Sequence, residues 1–463
     1  MTDQPGTVAD LIRTAAESAV EYRSGLADRP VARPIDPATL RAALGGPLPT
    51  RPTAPDRVLD DLIAAVEPGL VATPGPRFFG FVVGGSLPAA TAADMLAVGW
   101  DQLAFNALTS PAASVVEEVA GGWLKQLLGL PATASVGFGT GAQSANTVGL
   151  ATGRHRVLQD AGWDVESDGL SGSPRVRVVA SVERHATVDR SLRLLGLGAS
   201  SVAPVAADSQ GAIDIDALTR VLAAEPNAPT ILCLQSGNVN TGACDGLRTA
   251  IGIARRTVPN CWVHVDGAFG LWAAACPATR HLVDGVELAD SWCTDAHKWL
   301  NVPYDSGLVF CADRSAHAAA ASYTAAYLSG AGAVHSPSDY VLESSRRARG
   351  FAVWAAVREL GATGVSDLVD RCCRLARRFA EGLADGGFRI VNDVVLNQVL
   401  ADVGPDARTD AIIDAVQREG TCWLGGTTWR GRRLMRVSVS NWSTTEADVD
   451  RSVQAILRIA ETV

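Results

Sequence analysis

Short apolar runs rich in β-branched residues alternate with helical stretches between about Pro76 and Asp313. The candidate strands are RVRVVA, SVAPV, TILCLQ, CWVHVD, SWCTD and GLVFCA, and stretches such as HATVDRSLRLLG and DIDALTRVLAAE separate several of them. This rhythm is typical of βαβ units, whose mostly parallel sheet is buried on both faces. We therefore predict a large α/β domain over residues 76–345.

The segments on either side of this region differ from it in character. TVADLIRTAAESAVEYRSGL is amphipathic, and a segment rich in proline and arginine follows it from about Asp28 to Arg57. We predict that residues 1–75 form an N-terminal helical arm, irregular over that second segment. After residue 345, two helical stretches precede the strand-like FRIV, VVLNQVLAD and LMRVSVS and a last helix, TEADVDRSVQAILRIA. This order predicts a smaller α+β domain over residues 346–463.

Composition and charge limit the class of protein. Of the 463 residues, 47% are apolar, and the formal net charge is −9 without a basic stripe. We expect a large core and neither a nucleic acid nor an anionic membrane as partner. No uncharged apolar run approaches the roughly 20 residues that span a bilayer, and no signal peptide is evident. The nine cysteines contain no CxxC pair, which favours reduced thiols and a cytoplasmic location.

Lysine is almost absent from the chain. Of its 40 lysines and arginines, only Lys125 and Lys298 are lysines. Arginine stays protonated, whereas a desolvated lysine can lose its proton and form a Schiff base with an aldehyde. Lys298 follows the candidate strand SWCTD, in DAHKWLNVPYDSG. The scarcity of lysine alone does not show whether Lys298 is reactive or is an ordinary surface residue, which is the interpretation that suits Lys125. The residues around Lys298 have to distinguish the two.

Three further features lie near the ends of candidate strands, where ligands bind in open parallel sheets. Asp266 ends CWVHV, and its carboxylate could satisfy backbone N–H groups or point into the crevice. His185 opens a helical stretch after RVRVVAS, where it could be solvated or could stack on a planar ligand. The glycine-rich turn VGFGTGAQSAN, residues 136–146, precedes a helix whose N-terminus could hold a phosphate. A dinucleotide site is the alternative for this turn, but no strand-end acid follows at the required spacing.

Together these parts describe a site for pyridoxal 5'-phosphate. The phosphate anchors the cofactor, and Lys298 holds its aldehyde as an imine. Asp266 would keep the pyridine nitrogen protonated through a charge-assisted hydrogen bond, so that the ring can accept the electrons of a carbanion. His185 would stack on the ring and meet the substrate carboxylate. We expect no metal in this site.

A family resemblance rests on two specific blocks, HVDGAFG and GVELADSWCTDAHKWLNVPYDSGLVF. Both resemble the group II pyridoxal-phosphate decarboxylases, which include the aromatic-amino-acid, histidine and glutamate decarboxylases. PRFFGFVVGGSLPAATAADML, SPAASVVEEVAGGWLKQLLGLP and SVERHATVDRSLRLLG fit the same family in the same order. The resemblance implies fold type I, the aspartate aminotransferase-like architecture, and a homodimer with its active sites at the interface.

The resemblance also implies a role for each site residue. Lys298 would be the Schiff-base lysine, Asp266 the pyridinium partner and His185 the stacking base. The remaining cofactor contacts would come from Gly141, Ala142, Gln143, Asn238 and His297.

The chain departs from the family at several positions. Gln143 stands where a small hydroxyl residue is common, Asn238 where a threonine is, and Asp295 where an asparagine is. The segment SGAGAVHSPSDYVLESSRRARG is shorter than the family's mobile loop, whose tyrosine protonates the substrate carbon. Tyr340 and His335 are candidates for that proton donor, and either could equally be an ordinary loop residue. Without a donor, the carbanion would react with oxygen and give an aldehyde instead of an amine.

The predicted function is pyridoxal-phosphate-dependent decarboxylation of an L-amino acid, with an aromatic substrate slightly favoured. An aldehyde synthase, a carbon–carbon lyase and an aminotransferase are alternatives on the same site. A nicotinamide-dependent oxidoreductase and a catalytically silent binding protein are more distant alternatives. Trp423, Trp429, Arg430 and Arg436 could line the substrate pocket or pack the small domain, and burial is the better expectation for the tryptophans.

Overall fold

The larger of two sheets in the computed structural model, which describes residues 7–323 and 336–463, has seven strands. They are β1 (Ser135–Gly139), β2 (Arg177–Ser181), β3 (Val202–Val205), β4 (Thr230–Gln235), β5 (Cys261–Asp266), β6 (Ser291–Asp295) and β7 (Gly307–Cys311). Their spatial order is β1-β7-β6-β5-β4-β2-β3, and β7 alone runs against the others. All six strands predicted from the sequence are present, and β1 is additional.

Both faces of this sheet are buried, which explains the continuous apolar runs of its strands. Val178 and Ala180 of β2 pack with Leu150 on one face, whereas Val179 belongs to the large cluster on the other. Helices cover both faces because an α/β sheet has no solvent side. They include α6 (Ala142–Asp160), α8 (Ala186–Leu194), α9 (Ile215–Ala224) and α10 (Leu247–Thr257). The carboxyl ends of β1, β2, β4, β5 and β6 therefore meet at one edge.

The smaller sheet is antiparallel. It consists of β8 (Arg389–Ile390), β9 (Gln398–Asp402), β10 (Gly425–Trp429) and β11 (Arg432–Ser438) in the order β10-β11-β9-β8. The accompanying helices are α12 (Gly350–Asp385), α13 (Asp406–Glu419) and α14 (Glu446–Thr462). The two helices predicted after residue 345 form the single element α12, broken at Gly361, whose φ of 61° is left-handed. β10 and α13 were not predicted.

One early segment is hydrogen-bonded to this smaller sheet. The N–H of Phe79 donates to the carbonyl of Trp423 at 2.7 Å, and the N–H of Ser438 donates to the carbonyl of Phe79 at 2.9 Å. The chain therefore contacts the small sheet before it enters the large one. The predicted boundary near residue 345 lies between the two sheets in sequence, and the domain limits stay a prediction.

The N-terminal region is more helical than expected. It contains α1 (Val8–Ser24), α2 (Pro37–Leu44) and α3 (Pro55–Val66), none of which has a buried residue. Helix α2 lies in the segment predicted to be irregular. Asp36 caps it by accepting a hydrogen bond from the Ala38 N–H at 2.9 Å, and Pro37 suits its first position. The remaining helices are α4 (Pro88–Trp100), α5 (Pro111–Leu127), α7 (Val165–Asp168) and α11 (Arg314–Ala321).

The environment of the cysteines agrees with the expectation of reduced thiols. All nine are free, and eight of them are buried. Among the residues that the structure describes, no helix is both long and apolar enough to cross a membrane.

Candidate active site

A cavity of about 260 Å³ lies at the edge where the parallel strands end. It is lined by seven of the residues predicted from the sequence: Lys298, Asp266, His185, Gly141, Ala142, Gln143 and His297. Ligands bind at this edge because the strand ends and the helix N-termini converge there. The sequence-predicted set is therefore largely assembled in one place.

The phosphate side of the cavity is the N-terminus of α6, which begins at Ala142 directly after Gly141. The glycine-rich turn is shorter than predicted, because Gly137 and Gly139 belong to β1. A Cβ on Gly137 would lie 2.1 Å from the carbonyl oxygen of Tyr340, so this glycine serves packing and not a ligand. Gly141 remains at the helix start, where free N–H groups and the helix dipole favour an anion.

Lys298 lies in the turn that follows β6. Its Nζ atom is 2.9 Å from Oδ2 of Asp295, and Oδ1 of Asp295 accepts a hydrogen bond from the Ala142 N–H at 2.6 Å. His297 stacks on Tyr304 with ring centroids 4.3 Å apart, and its Nδ1 accepts the Ser306 N–H at 3.0 Å. Burial lowers the pKa of His297 below its ordinary value. Asp295 thus lies between the Lys298 amine and the start of α6 and contacts both.

Asp266 ends β5 as predicted and is buried. Its Oδ2 accepts a hydrogen bond from the side-chain amide of Asn146 at 3.2 Å. Its Oδ1 accepts weaker bonds from the Ala268 N–H at 3.3 Å and from the thiol of Cys293 at 3.4 Å. A buried carboxylate that faces the cavity with only these partners suits a cationic N–H of a ligand.

His185 is the N-cap residue of α8, and its Nδ1 accepts the Thr187 N–H at 3.3 Å. The Thr187 hydroxyl lies 2.8 Å from the same nitrogen. Because Nδ1 accepts, the proton of the neutral ring resides on Nε2. Desolvation lowers the pKa of His185 below its ordinary value, the charges of Lys298 and Arg436 act in the same direction, and the Asp266 carboxylate opposes them. The net lowering of the pKa favours the neutral ring.

The structure does not bring Asn238 to the cavity surface. Its Oδ1 accepts the N–H groups of Asn240 at 2.9 Å and Thr241 at 3.3 Å, within its own turn. Gly237 and Val239 line the cavity on either side of it. The geometry gives Asn238 a role in the turn, and its role as a cofactor contact stays a prediction.

The candidate proton donor Tyr340 does not line this cavity either. The Tyr340 ring lies 4.9 Å from the His317 ring, and Tyr340 lines a different cavity, together with Arg156, at the opposite edge of the sheet. Within one chain it is thus far from Lys298. His335 lies outside the described residues.

Arg436 is the one basic candidate from the small sheet that reaches this region. Its Nη1 donates to the carbonyl of Val239 at 2.8 Å, and it forms no ion pair with any described carboxylate. Desolvation lowers its pKa to about 10, so it stays a cation. Trp429 is buried with Leu400 and Leu434, as expected for packing.

Asn146 and Thr187 were not predicted from the sequence as site residues. Nor did the sequence indicate that Arg436 has no acidic partner among the described residues. Asn146 lies on the first turns of α6 and is the last residue of the quoted motif VGFGTGAQSAN, so a polar residue near the start of this helix was visible in the sequence. Thr187 follows His185 by two residues, the spacing of an N-cap contact.

The site fits pyridoxal phosphate in its donor set. The helix N-terminus would take the phosphate, Lys298 the aldehyde and Asp266 the ring nitrogen, and all three face one cavity. Glycine is required at position 307 of β7, because a Cβ there would lie 2.3 Å from the Cα of Gly141 at the helix start.

Known proteins share both the sequence and the fold. The chain is 28% identical to tryptophan decarboxylase 1 of Oryza sativa subsp. japonica over 94% of this chain and 90% of that protein. It is 27% identical to phenylacetaldehyde synthase of Arabidopsis thaliana over 94% and 92%. The solved structure of Oryza sativa TDC with PLP and tryptamine has a TM-score of 0.90 at 24% identity, and covers 100% of this chain and 99% of its own. Mouse CSAD has a TM-score of 0.87 at 22% identity and 98% coverage of both chains.

These likenesses confirm the predicted architecture, fold type I with a mostly parallel large sheet and a smaller antiparallel one. The pyridoxal-dependent decarboxylase conserved domain matches residues 37–401, well over half of the chain. A nicotinamide-dependent oxidoreductase is thereby set aside. The chain belongs to the pyridoxal-dependent decarboxylase family and is an enzyme that uses pyridoxal phosphate.

Proposed function

We propose that the protein decarboxylates an L-amino acid with an aromatic side chain. The observation that carries this proposal is the common cavity of Lys298, Asp266 and His185 at the N-terminus of α6. The aromatic preference is supported by relatives named tryptophan decarboxylase and tyrosine decarboxylase. Phe269 contributes an aromatic ring to the cavity wall.

Each residue has a distinct task in this proposal. The N-terminus of α6 binds the phosphate, Lys298 holds the aldehyde carbon, and Asp266 accepts a hydrogen bond from the ring nitrogen. Bound there, pyridoxal phosphate supplies an electron sink for the electron pair that remains when the carboxylate leaves as carbon dioxide. His185 covers the ring and presents the N–H of Nε2 to the substrate.

Arg436 is our candidate for the residue that orients the substrate carboxylate. A partly buried guanidinium without an acidic partner favours an incoming anion, and its link to Val239 holds it at the cavity edge. Loss of one charged hydrogen bond costs about 1.5–3 kcal/mol, so Arg436→Gln should raise KM roughly 10- to 100-fold. The inhibition constant of the product amine, which has no carboxylate, should stay unchanged. Arg433→Gln is the matched control, because Arg433 is on the same strand and pairs with Asp410.

An equal rise in KM and in the inhibition constant of the amine would contradict this role for Arg436. It would mean that the substitution disturbs the whole pocket and not the carboxylate contact.

A second candidate function is that of an aldehyde synthase. It is supported by relatives named phenylacetaldehyde synthase and 4-hydroxyphenylacetaldehyde synthase. It is also favoured by the position of Tyr340, which lies away from Lys298 in its own chain. Such an enzyme consumes one oxygen and one water molecule for each amino acid and releases carbon dioxide, ammonia and hydrogen peroxide together with the aldehyde.

One experiment separates the two functions. The protein loaded with pyridoxal phosphate is incubated in air with a panel of L-amino acids, and the products are identified by mass spectrometry with peroxide measured in parallel. We expect an amine from an aromatic amino acid and no peroxide. An aldehyde with an equal amount of peroxide would establish the second function. A panel without any product would contradict both.

We also propose a cytoplasmic homodimer with the active site at the interface. The helices α1, α2 and α3 have no buried residue in the single chain, and apolar side chains such as Val8, Ile12 and Leu62 are exposed. Met95, Leu96, Val98 and Trp100 of α4 are exposed as well. An apolar surface of this extent favours a partner. In the dimer, Tyr340 of one protomer could serve the site of the other, and it stays a prediction as proton donor.

A further inference from the structure

A continuous chain of hydrogen bonds lies behind Asp266, inside the protein. The indole N–H of Trp262 donates to Oγ of Ser291 at 2.8 Å, and Oγ of Ser291 lies 2.8 Å from Nδ1 of His264. Nε2 of His264 lies 2.7 Å from Oδ1 of Asn146, whose Nδ2 donates to Oδ2 of Asp266 at 3.2 Å. All five side chains are buried. None of the four behind Asp266 lines the cavity.

The chain has one consistent direction. The Asp266 carboxylate can only accept, so Asn146 donates to it and turns its carbonyl oxygen towards Nε2 of His264. Nδ1 of the neutral ring accepts from the Ser291 hydroxyl, whose oxygen accepts the indole N–H of Trp262. Nε2 of His264 then carries the ring proton and donates it to the carbonyl oxygen of Asn146. Burial lowers the pKa of His264 to about 4, which keeps the ring neutral with one donor and one acceptor nitrogen. Every donor therefore points towards the carboxylate of Asp266.

Asn146 connects this chain to the other side of the cofactor site. Its amide group also donates to Oγ1 of Thr187 at 3.3 Å, and Thr187 holds the ring of His185. The Sγ atom of Cys293 lies 3.1 Å from Oδ1 of the same asparagine and 3.4 Å from Oδ1 of Asp266, so its single hydrogen is shared between them. One side chain thus orients both Asp266 and the threonine that fixes His185.

Helix α6 is shaped around this chain. A Cβ on Gly149 would lie 2.6 Å from Cε1 of His264, and a Cβ on Gly153 would lie 2.6 Å from Cδ1 of Trp262. These glycines follow Asn146 by three and seven residues, so all three lie on one face of the helix. The close approach is possible only because both positions lack a side chain.

We propose that Asn146 and His264 are positioning residues that hold the Asp266 carboxylate in the orientation in which it binds the ring nitrogen of pyridoxal phosphate. The inference rests on the proposed function, because it assumes that Asp266 faces the ring nitrogen. Neither residue touches the cofactor in this arrangement. They act because a carboxylate that is bonded on one oxygen cannot rotate away from its ligand without breaking a buried hydrogen bond.

The test measures the affinity of the apoprotein for two probes. One is pyridoxal phosphate, and the other is its analogue with C–H in place of the ring nitrogen. The variant His264→Leu removes both ring nitrogens without adding bulk beside Gly149, and Asn146→Leu breaks the next link. His264→Gln retains one donor and one acceptor. His317→Leu is the matched control, because His317 is also a buried histidine whose pKa is lowered to about 4, but its partners are Ser135 and the Tyr340 carbonyl.

We expect the wild-type protein to bind pyridoxal phosphate more tightly than the analogue. His264→Leu should weaken binding of pyridoxal phosphate by about tenfold and leave the analogue unchanged, since only the former needs an oriented Asp266. His264→Gln should recover most of the loss, and His317→Leu should match the wild type. If His264→Leu fails to fold, Asn146→Leu gives the same comparison.

Two results would overturn the inference. Equal weakening of both probes would assign the chain a purely structural role, and unchanged binding of both would show that Asp266 needs no support. A wild-type protein that binds both probes equally would be a different failure. It would refute the contact between Asp266 and the ring nitrogen, and with it that part of the proposed function.

Discussion

Asp295 contacts Lys298 with one carboxylate oxygen, at 2.9 Å from Nζ, and the first amide of α6 with the other, at 2.6 Å from the Ala142 nitrogen. A single acidic side chain thus links the reactive amine to the helix start that would hold the phosphate. The carboxylate is buried, so its charge is little screened by water. The decarboxylases that this chain resembles commonly have an asparagine at the position.

Asp295→Asn should tighten the binding of pyridoxal phosphate. The amide oxygen can keep the bond to the Ala142 N–H, while the negative charge beside the phosphate disappears and Lys298 loses its counterion. A unit charge at about 4 Å is worth about 1 kcal/mol even in water, so we expect at least a fivefold lower Kd. The measurement is a titration of the apoprotein, with inorganic phosphate as a competitor.

The control for this prediction is Asp160→Asn, at the other end of α6, where the carboxylate is half-exposed and pairs with Arg156. It should leave the Kd unchanged. Weaker binding by Asp295→Asn would show that its carboxylate supports the site by orienting Lys298.

Lys298→Arg should abolish turnover while the chain still folds. The substitution keeps the positive charge near Asp295 but removes a nitrogen that can become a neutral nucleophile. We expect a loss of at least about a thousandfold in kcat, together with loss of the visible band that borohydride removes. The measurement is steady-state turnover with an absorbance spectrum of the loaded protein.

The other lysine provides the control. Lys125 donates to the carbonyl oxygens of Ala132 at 2.6 Å and Ala134 at 2.8 Å, bonds that an arginine can also make. Lys125→Arg should therefore turn over like the wild type. Normal turnover by Lys298→Arg would refute the central role of this lysine.

Gly84→Ala should damage the turn that carries Lys298. A Cβ at this position would lie 1.8 Å from the Lys298 carbonyl oxygen and 3.0 Å from that of His297. Both are backbone atoms, so the turn itself has to move. We expect a loss of about 2 kcal/mol or more in the free energy of unfolding and weaker binding of pyridoxal phosphate. Urea denaturation and cofactor titration measure the two effects.

Gly99→Ala is the matched comparison within α4. Nothing lies within 4 Å of its added Cβ, and alanine favours a helix by about 0.5–1 kcal/mol over glycine. This variant should be as stable as the wild type or more so. Equal unfolding free energies and equal cofactor affinities of the two alanine variants would mean that the Lys298 turn can shift without cost.

His317→Gln should reduce the sensitivity of the protein to acid. Burial lowers the pKa of His317 to about 4, below the value of about 6.5 in an unfolded chain. The unfolded state therefore binds more protons between these values, and stability falls as the pH drops through this window. Between pH 7 and pH 5 the wild-type protein should lose about 2 kcal/mol of unfolding free energy through this single histidine. The variant should not show this loss.

The check is urea denaturation of both proteins at the two pH values. Glutamine can keep polar contacts with Ser135 and the Tyr340 carbonyl, which form the bonds of the native ring. Asp245, whose pKa burial raises to about 6, titrates in both proteins and cancels in the comparison. The same pH dependence in both proteins would contradict the burial of a neutral His317.

The local sequence predicted strands correctly where both faces of a strand are buried. Strands β2 and β4 to β7 are buried on both faces, so each is a short, largely apolar run that the sequence pattern detects. β1, with the sequence SVGFG, was read as a turn because of its glycines. β10, with the sequence GGTTW, and α2, in a segment rich in proline, were also not predicted. Their glycine and proline residues indicated irregular chain instead of a strand or a helix.

The sequence by itself determined which chemistry this protein can perform. It placed Lys298, Asp266 and His185 at or shortly after candidate strands, and topology alone requires the ends of parallel strands to meet at one edge. Their partners were decided by the tertiary structure. Asn146 and His264 are separated by 118 positions and come together only because α6 packs on β5. Hydrogen-bond partners depend on distances of a few tenths of an ångström, which the packing of distant segments sets and residue order does not encode.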